Sequence, residues 1–174
     1  MKPNRIYIIG TGGAGKSHLA DFISDKYAIP HYHLDDIFWF NKYTKARNEK
    51  YRLRKLKEIA KKKKWIIEGA YTSWVSDGIR KAEIIIFLFP NEFLMAWRVL
   101  LRFIKGKLSM NPSKERFKDL LNVIPAILGY RIIKKQGTNK TRYERHKELI
   151  EKHKVDFILI RTKKELKEFI NNLD

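Results

Sequence analysis

The run Gly10-Thr11-Gly12-Gly13-Ala14-Gly15-Lys16-Ser17 decides how this chain is read. Gly10, Gly15, Lys16 and Ser17 stand at the fixed positions of the pattern G-x-x-x-x-G-K-[ST]. Glycines let the backbone curl without Cβ clashes, so successive N–H groups converge on an anion. The spacing therefore predicts a phosphate-binding loop. Gly10, Gly12, Gly13, Ala14, Gly15, Lys16, Ser17 and His18 are its candidate nucleotide contacts. Lys16 reaches the β- and γ-phosphates, and the Ser17 hydroxyl holds Mg²⁺. The flanks agree with this reading. Ile6-Tyr7-Ile8-Ile9 is an apolar run of strand formers. Beyond the loop, a helical stripe of Leu19, Ala20, Phe22 and Ile23 predicts a helix from about Lys16 to Tyr27. Its start adds the positive end of a helix dipole to the anion site.

Working outward, the strand-and-helix alternation continues. Strands are predicted at Arg5–Ile9, His31–Leu34, Trp65–Gly69, Glu83–Phe89 and Val155–Ile160. Helices are predicted at Glu49–Lys63 and Asn91–Lys105. Asn41–Asn48 reads as loop, and Ala70–Arg80 as loop or short helix. Gly106–Pro112 reads as a turn, and Ser113 opens a further helical pattern. Pro125 should kink or break that pattern, which resumes through Ile132 and gives out at Gly137. Thr141-x-x-Glu144 and Thr162-x-x-Glu165 fit capping boxes for two last helices. Strands alternating with helices imply an α/β fold, a parallel sheet with helices on both faces.

With 174 residues, one domain spanning 1–174 is expected. Residues 91–154 contain no strand and many Arg and Lys. They read as a basic helical lid inserted over the phosphate site, or as a helical subdomain with only a packing role. There is no cysteine, which excludes disulfides, thiolate metal sites and thiol catalysis. The longest apolar stretch, Phe93–Ile104, is broken by Arg98 and Arg102, so no membrane span is expected and a cytoplasmic location is inferred. Lys and Arg number 38 against 19 Asp and Glu, a formal charge of +19. That field attracts polyanions, nucleic acid among them. The competing explanation is a Lys-rich surface of a biased or heat-adapted proteome. Glu is modest here, so that explanation does not cover the whole excess.

In open parallel sheets, ligands sit beyond the carboxyl ends of the strands. That rule selects Asp35 and Asp36 after the second strand, Glu68 at the end of the third, and Arg161 after the fifth. Glu68, with Ser17, is the candidate Mg²⁺ partner, through water; the alternative is a surface Glu at a strand end. Asp35 is the candidate general base or acceptor-orienting group, alternatively a turn cap; Asp36 can exchange roles with it. Arg98 and Arg102 lie four apart on one helix face, suited to charge on a transferring phosphoryl group, or simply solvated. His31 and His33 share a strand face, a metal pair with no third ligand nearby in the sequence. Phe38, Trp39, Tyr71 and Trp74 either line an acceptor pocket or belong to the core.

These segments together resemble a family. The phosphate loop, Tyr32-His-Leu-Asp-Asp-Ile-Phe-Trp39, Trp65-Ile-Ile-Glu-Gly-Ala-Tyr71, Ala82–Pro90 and Arg98-Val-Leu-Leu-Arg102 are similar to the adenylate-kinase-related P-loop proteins called DNA topology modulation proteins (FlaR-like). The resemblance implies a nucleoside-monophosphate-kinase type of P-loop fold. It also implies sheet order 2-3-1-4-5, a helical lid, and ATP with Mg²⁺ as ligands. The family usually carries Asp where this chain has Glu68, and Asn where it has Ala70. The phosphate-binding arginine of adenylate kinases is missing after Gly69, which argues against AMP as acceptor unless Arg47, Arg52 or Arg54 compensates. The expected activity is transfer of the γ-phosphoryl of MgATP to a small nucleotide-like or other hydroxyl acceptor. The rivals are a nucleic-acid-associated ATPase or polynucleotide kinase, and a nucleotide-binding regulator with little turnover.

Overall fold

The computed structural model describes residues 3–41, 44–108, 117–134 and 139–173. Five strands form one parallel sheet: β1 (Arg5–Ile9), β2 (His31–His33), β5 (Trp65–Gly69), β6 (Ile84–Leu88) and β7 (Phe157–Ile160). Their order across the sheet is β2-β5-β1-β6-β7, the expected 2-3-1-4-5. The central β1 pairs with β5 on one side, Ile8 opposite Glu68, and with β6 on the other, Ile8 opposite Ile86. The central strands read as unbroken apolar runs because helices cover both faces. Ile6 to Ile9, Trp65 to Ile67 and Ile85 to Phe87 are at most 1% exposed.

The connections follow the predicted rhythm. Helix α1 (Lys16–Tyr27) buries Leu19, Ala20 and Ile23, and ends on Ala28 in the left-handed region. A short α2 (Leu34–Phe38) follows β2 directly. The stretch read as loop forms instead a small antiparallel pair, β3 (Trp39–Asn41) with β4 (Lys45–Ala46). Helix α3 (Glu49–Ala60) is capped by the Asn48 side chain, which accepts from the Tyr51 amide at 2.8 Å. It ends before its predicted limit, at an exposed run of lysines, Lys61 to Lys64. Helix α4 (Ser76–Lys81) realises the short-helix reading of that segment.

The strand-free region contains α5 (Glu92–Leu108), α6 (Phe117–Leu128) and α7 (Arg142–His153). Helix α5 runs past Lys105 to Leu108; the predicted helix start at Ser113 and its end at Gly137 fall outside the described residues. Pro125 does not break α6, which continues to Leu128. A proline removes one i→i−4 bond, here near the helix end. The Gly129 amide still reaches the Pro125 carbonyl at 2.8 Å, and buried Leu120 and Ile127 hold the apolar face. Both capping boxes form, on Thr141 for α7 and on Thr162 for α8 (Lys163–Asn171). No described helix is long and apolar enough to cross a membrane.

Candidate active site

The loop from Gly10 to Gly15 links the C-terminal end of β1 to α1. Two of its glycines are demanded by close approach. A Cβ at Gly10 would stand 2.4 Å from the Leu88 carbonyl oxygen, and one at Gly13 would stand 2.3 Å from that of Met95. Gly13 also has φ +74°, which side-chain-bearing residues rarely adopt. The second contact shows that α5 begins packed on the loop. One turn further on, the Arg98 guanidinium donates to the Gly13 carbonyl at 3.3 Å.

Glu68 ends β5 directly beside this loop and is 6% exposed. It accepts from the Ser17 hydroxyl at 2.9 Å and lies 2.7 Å from His33 Nδ1. Lys16 Nζ stands 3.7 Å from its other oxygen and donates to the Thr11 carbonyl at 3.1 Å. Burial opposes ionisation of Glu68. The Lys16 charge and the His33 and Ser17 hydrogen bonds outweigh it and hold the carboxyl below the usual range. A hydroxyl and an ionised carboxylate 2.9 Å apart are the hard oxygen donors that Mg²⁺ takes, so Ser17 and Glu68 fit that ion.

A cavity of about 640 Å³ opens on the loop, lined by Gly12, Gly13, Gly15, Lys16, Ser17 and His18. Asp35, Glu68, Arg98, Arg102 and Arg142 complete its charged lining. The fold thus separates two neighbours the sequence left interchangeable: Asp35 lines this cavity, whereas Asp36 is exposed and does not. Asp35 accepts a hydrogen bond from the Tyr71 hydroxyl at 2.8 Å. Gly10 and Ala14 are buried and shape the loop without lining the cavity. Arg161 does not line it either. It is exposed beyond β7, and its amide donates to Glu165 as part of the start of α8.

A second cavity of about 530 Å³ shares Thr11, Ala70, Ala126 and Arg142 with the first. Its wall runs from Tyr71, Thr72 and Ser73 to Tyr130, Lys134, Arg142, Arg145 and His146. No carboxylate lines it among the described residues. Among the described residues, the Arg145 guanidinium reaches only the Thr72 hydroxyl, at 3.5 Å, and its Nε is buried with no partner. Burial, then the neighbouring Arg142 charge, press its pKa below the ordinary value. His146 is 2% exposed. Its Nε2 donates to the Ala70 carbonyl at 3.0 Å, so Nδ1 is the acceptor for the Tyr130 hydroxyl. Burial brings its pKa down to about 4 and keeps it neutral.

The aromatic residues divide. Phe38 stacks on Tyr71 with centroids 4.8 Å apart, and Tyr71 meets Trp74 at 5.3 Å. Trp74 is 3% exposed, and of the four aromatics only Tyr71 lines a cavity. The arginines expected to replace the missing one are engaged elsewhere. Arg47 donates to the Trp39 carbonyl, Arg52 covers Phe38 and Trp74, and Arg54 pairs with Glu58. Arg142 and Arg145 are the arginines that line the second cavity, and sequence reasoning missed them. A signal existed: both lie in the first turn or so of α7, where a helix dipole disfavours cations.

The fold has solved counterparts. The shikimate kinase of Acinetobacter baumannii, in complex with shikimate, matches 99% of this chain and 95% of its own, with TM-score 0.57 and 15% identity. The shikimate kinase of Bacteroides thetaiotaomicron matches 98% of this chain and 96% of its own, with TM-score 0.56 and 15% identity. The chain has the P-loop kinase fold of these proteins. No protein-family model matches it. The uncharacterized protein YqaC of Bacillus subtilis (strain 168) is 35% identical over 92 residues. That match spans 51% of this chain and 50% of YqaC.

Proposed function

We propose that this chain is a small P-loop kinase that transfers the γ-phosphoryl of MgATP to a hydroxyl on a small, anionic acceptor. The carrying observation is the pair of adjoining cavities: one on the phosphate loop, the other lined by Arg142 and Arg145 with no carboxylate opposite. Arg145 is half-buried with its Nε out of contact with water, and two neighbouring cations repel each other; an anion between them relieves both costs. A carboxylate or phosphate on the acceptor fits a bidentate arginine. The shikimate kinases share the fold, and shikimate itself is a hydroxyl-bearing carboxylate of that class.

Each step then has a residue. Loop amides and Lys16 hold the β- and γ-phosphates, with Arg98 and Arg102 facing charge that develops on the transferring group. Ser17 and, through water, Glu68 would hold Mg²⁺, which would neutralise charge on the phosphate oxygens. Asp35 accepts the proton of the acceptor hydroxyl as that oxygen attacks phosphorus; ADP leaves, and the proton passes on to water. The Tyr71–Asp35 hydrogen bond spans the two cavities, since Tyr71 lines one and Asp35 the other. Kinship with the DNA topology modulation proteins rests on the motifs named above and says nothing of the acceptor.

A screen of γ-labelled ATP against hydroxy acids, phosphorylated sugars, nucleotides and 5′-hydroxyl oligonucleotides tests this. Label is expected on a small anionic acceptor. The +19 charge favours a second reading, a polynucleotide acceptor. Label on the oligonucleotide, with binding that weakens steeply in salt, would establish that instead. ATP binding with no labelled product would leave a nucleotide-responsive regulator.

A further inference from the structure

We propose that Asp21, His31 and His33 form a binding site for a zinc-class divalent cation, distinct from the Mg²⁺ site on the phosphate loop. His31 and His33 alternate along β2, so they share one face of this edge strand. The fold supplies the third donor, Asp21, from α1. One ligand atom from each of the three lies within 4.8 Å of the others. The His31 and His33 ring centroids are 4.0 Å apart. In a tetrahedral shell with bonds of about 2.0–2.2 Å, neighbouring ligand atoms stand roughly 3.3–3.6 Å apart. The widest pair has to close by roughly 1.2–1.5 Å at most.

The mobility needed lies in the right residues. The His31 side chain is 7% exposed and is the fixed anchor; those of Asp21, at 61%, and His33, at 38%, have room to swing. His31 Nδ1 already stands 2.9 Å from an Asp21 oxygen. Its Nε2 is buried and has no partner among the described residues, so no second hydrogen bond commits the ring. His33 Nδ1 is held by Glu68 at 2.7 Å, which leaves Nε2 as the nitrogen to offer. A carboxylate behind a ligating imidazole fixes its tautomer and raises its basicity, the usual support of a histidine metal ligand. Two imidazoles and one carboxylate suit Zn²⁺, Co²⁺ or Ni²⁺ rather than Mg²⁺. An ordinary Asp–His pair accounts for the Asp21–His31 contact, but not for a second imidazole brought against the first on an exposed edge.

The test uses the full chain, stripped with chelator and titrated with Co²⁺ and then Zn²⁺. One Co²⁺ per chain is expected, with the visible absorption of a tetrahedral site that Zn²⁺ displaces, and a melting temperature raised by Zn²⁺. Asp21→Ala and His31→Gln should each weaken binding by at least the roughly 10–100-fold that losing an outer-shell partner costs. Asp21 is on the exposed side of α1, so Asp21→Ala keeps the fold and carries the test if His31→Gln does not. Absence of stoichiometric Co²⁺ or Zn²⁺ binding overturns the proposal. So does binding that survives both variants, or binding lost only in Glu68→Gln, which moves the ion to the phosphate loop.

Discussion

The loop end of the sheet and the α6–α7 wall beside it use charge in opposite ways. At the loop, Lys16, Ser17 and His33 all converge on Glu68 within 3.7 Å, so the Lys16 and Glu68 charges are paired before a nucleotide arrives. Across the shared boundary, Arg145 stands half-buried next to Arg142, with a hydroxyl as its only hydrogen-bond partner. The first region is a finished electrostatic unit. The second has no carboxylate among the described residues, and on the proposed reading an anionic acceptor would supply the missing charge.

The largest effect should come from breaking the finished side. Lys16→Ala should lower kcat by about 10³-fold or more, because its ammonium bridges the β- and γ-phosphates. Circular dichroism should show the chain still folded. Breaking the unfinished side should look different. Arg145→Met should raise the acceptor KM by roughly 10–100-fold, about 1.4–2.8 kcal/mol, and leave the ATP KM unmoved. Equal changes in both KM values would erase the distinction between the regions.

The wall's stability should also carry a pH signature of its own. The folded-state pKa of His146, at about 4, lies below the ordinary value of 6.5. The unfolded chain therefore binds a proton first, and stability falls as pH drops from 6.5 towards 4. Between pH 6.5 and 5 this group should cost the wild type about 2 kcal/mol in urea unfolding. His146→Gln should be less stable at neutral pH and lack that slope; an identical slope would assign it to other histidines. The smallest effect should be at the α7 cap. Thr141→Ala should destabilise by about 1 kcal/mol, and Thr162→Ala at the start of α8 by a similar amount. Only the first should also weaken acceptor binding, since α7 carries Arg142 and Arg145.

The same contrast governs what could be read from the chain. The five sheet strands, to within two residues, and α1 were legible because buried parallel strands are continuous apolar runs and the loop motif is contiguous. The loop residues that line the first cavity were legible for that second reason, and Glu68 because it stands near the end of a recognisable strand. The wall was not. Arg142 and Arg145 look like the solvated face of a charged helix until the fold folds that helix back against Ala70 and Thr72. Asp35 and Asp36 differ only by which way a single turn of α2 faces. Asp21 is ten residues from His31, and only the packing of α1 on the sheet edge brings them together. The reading that Pro125 breaks the helix failed for a local reason: one missing hydrogen bond near a helix end is outweighed by a buried apolar face.

The most direct measurement is single-turnover transfer from γ-labelled ATP, with and without a small anionic hydroxyl acceptor, in the wild type and in Arg145→Met. Label should appear on the acceptor in the wild type, fall sharply in the variant at low acceptor concentration, and return as the acceptor is raised. Release of label as inorganic phosphate at one rate, indifferent to acceptor and to Arg145, would contradict the kinase reading.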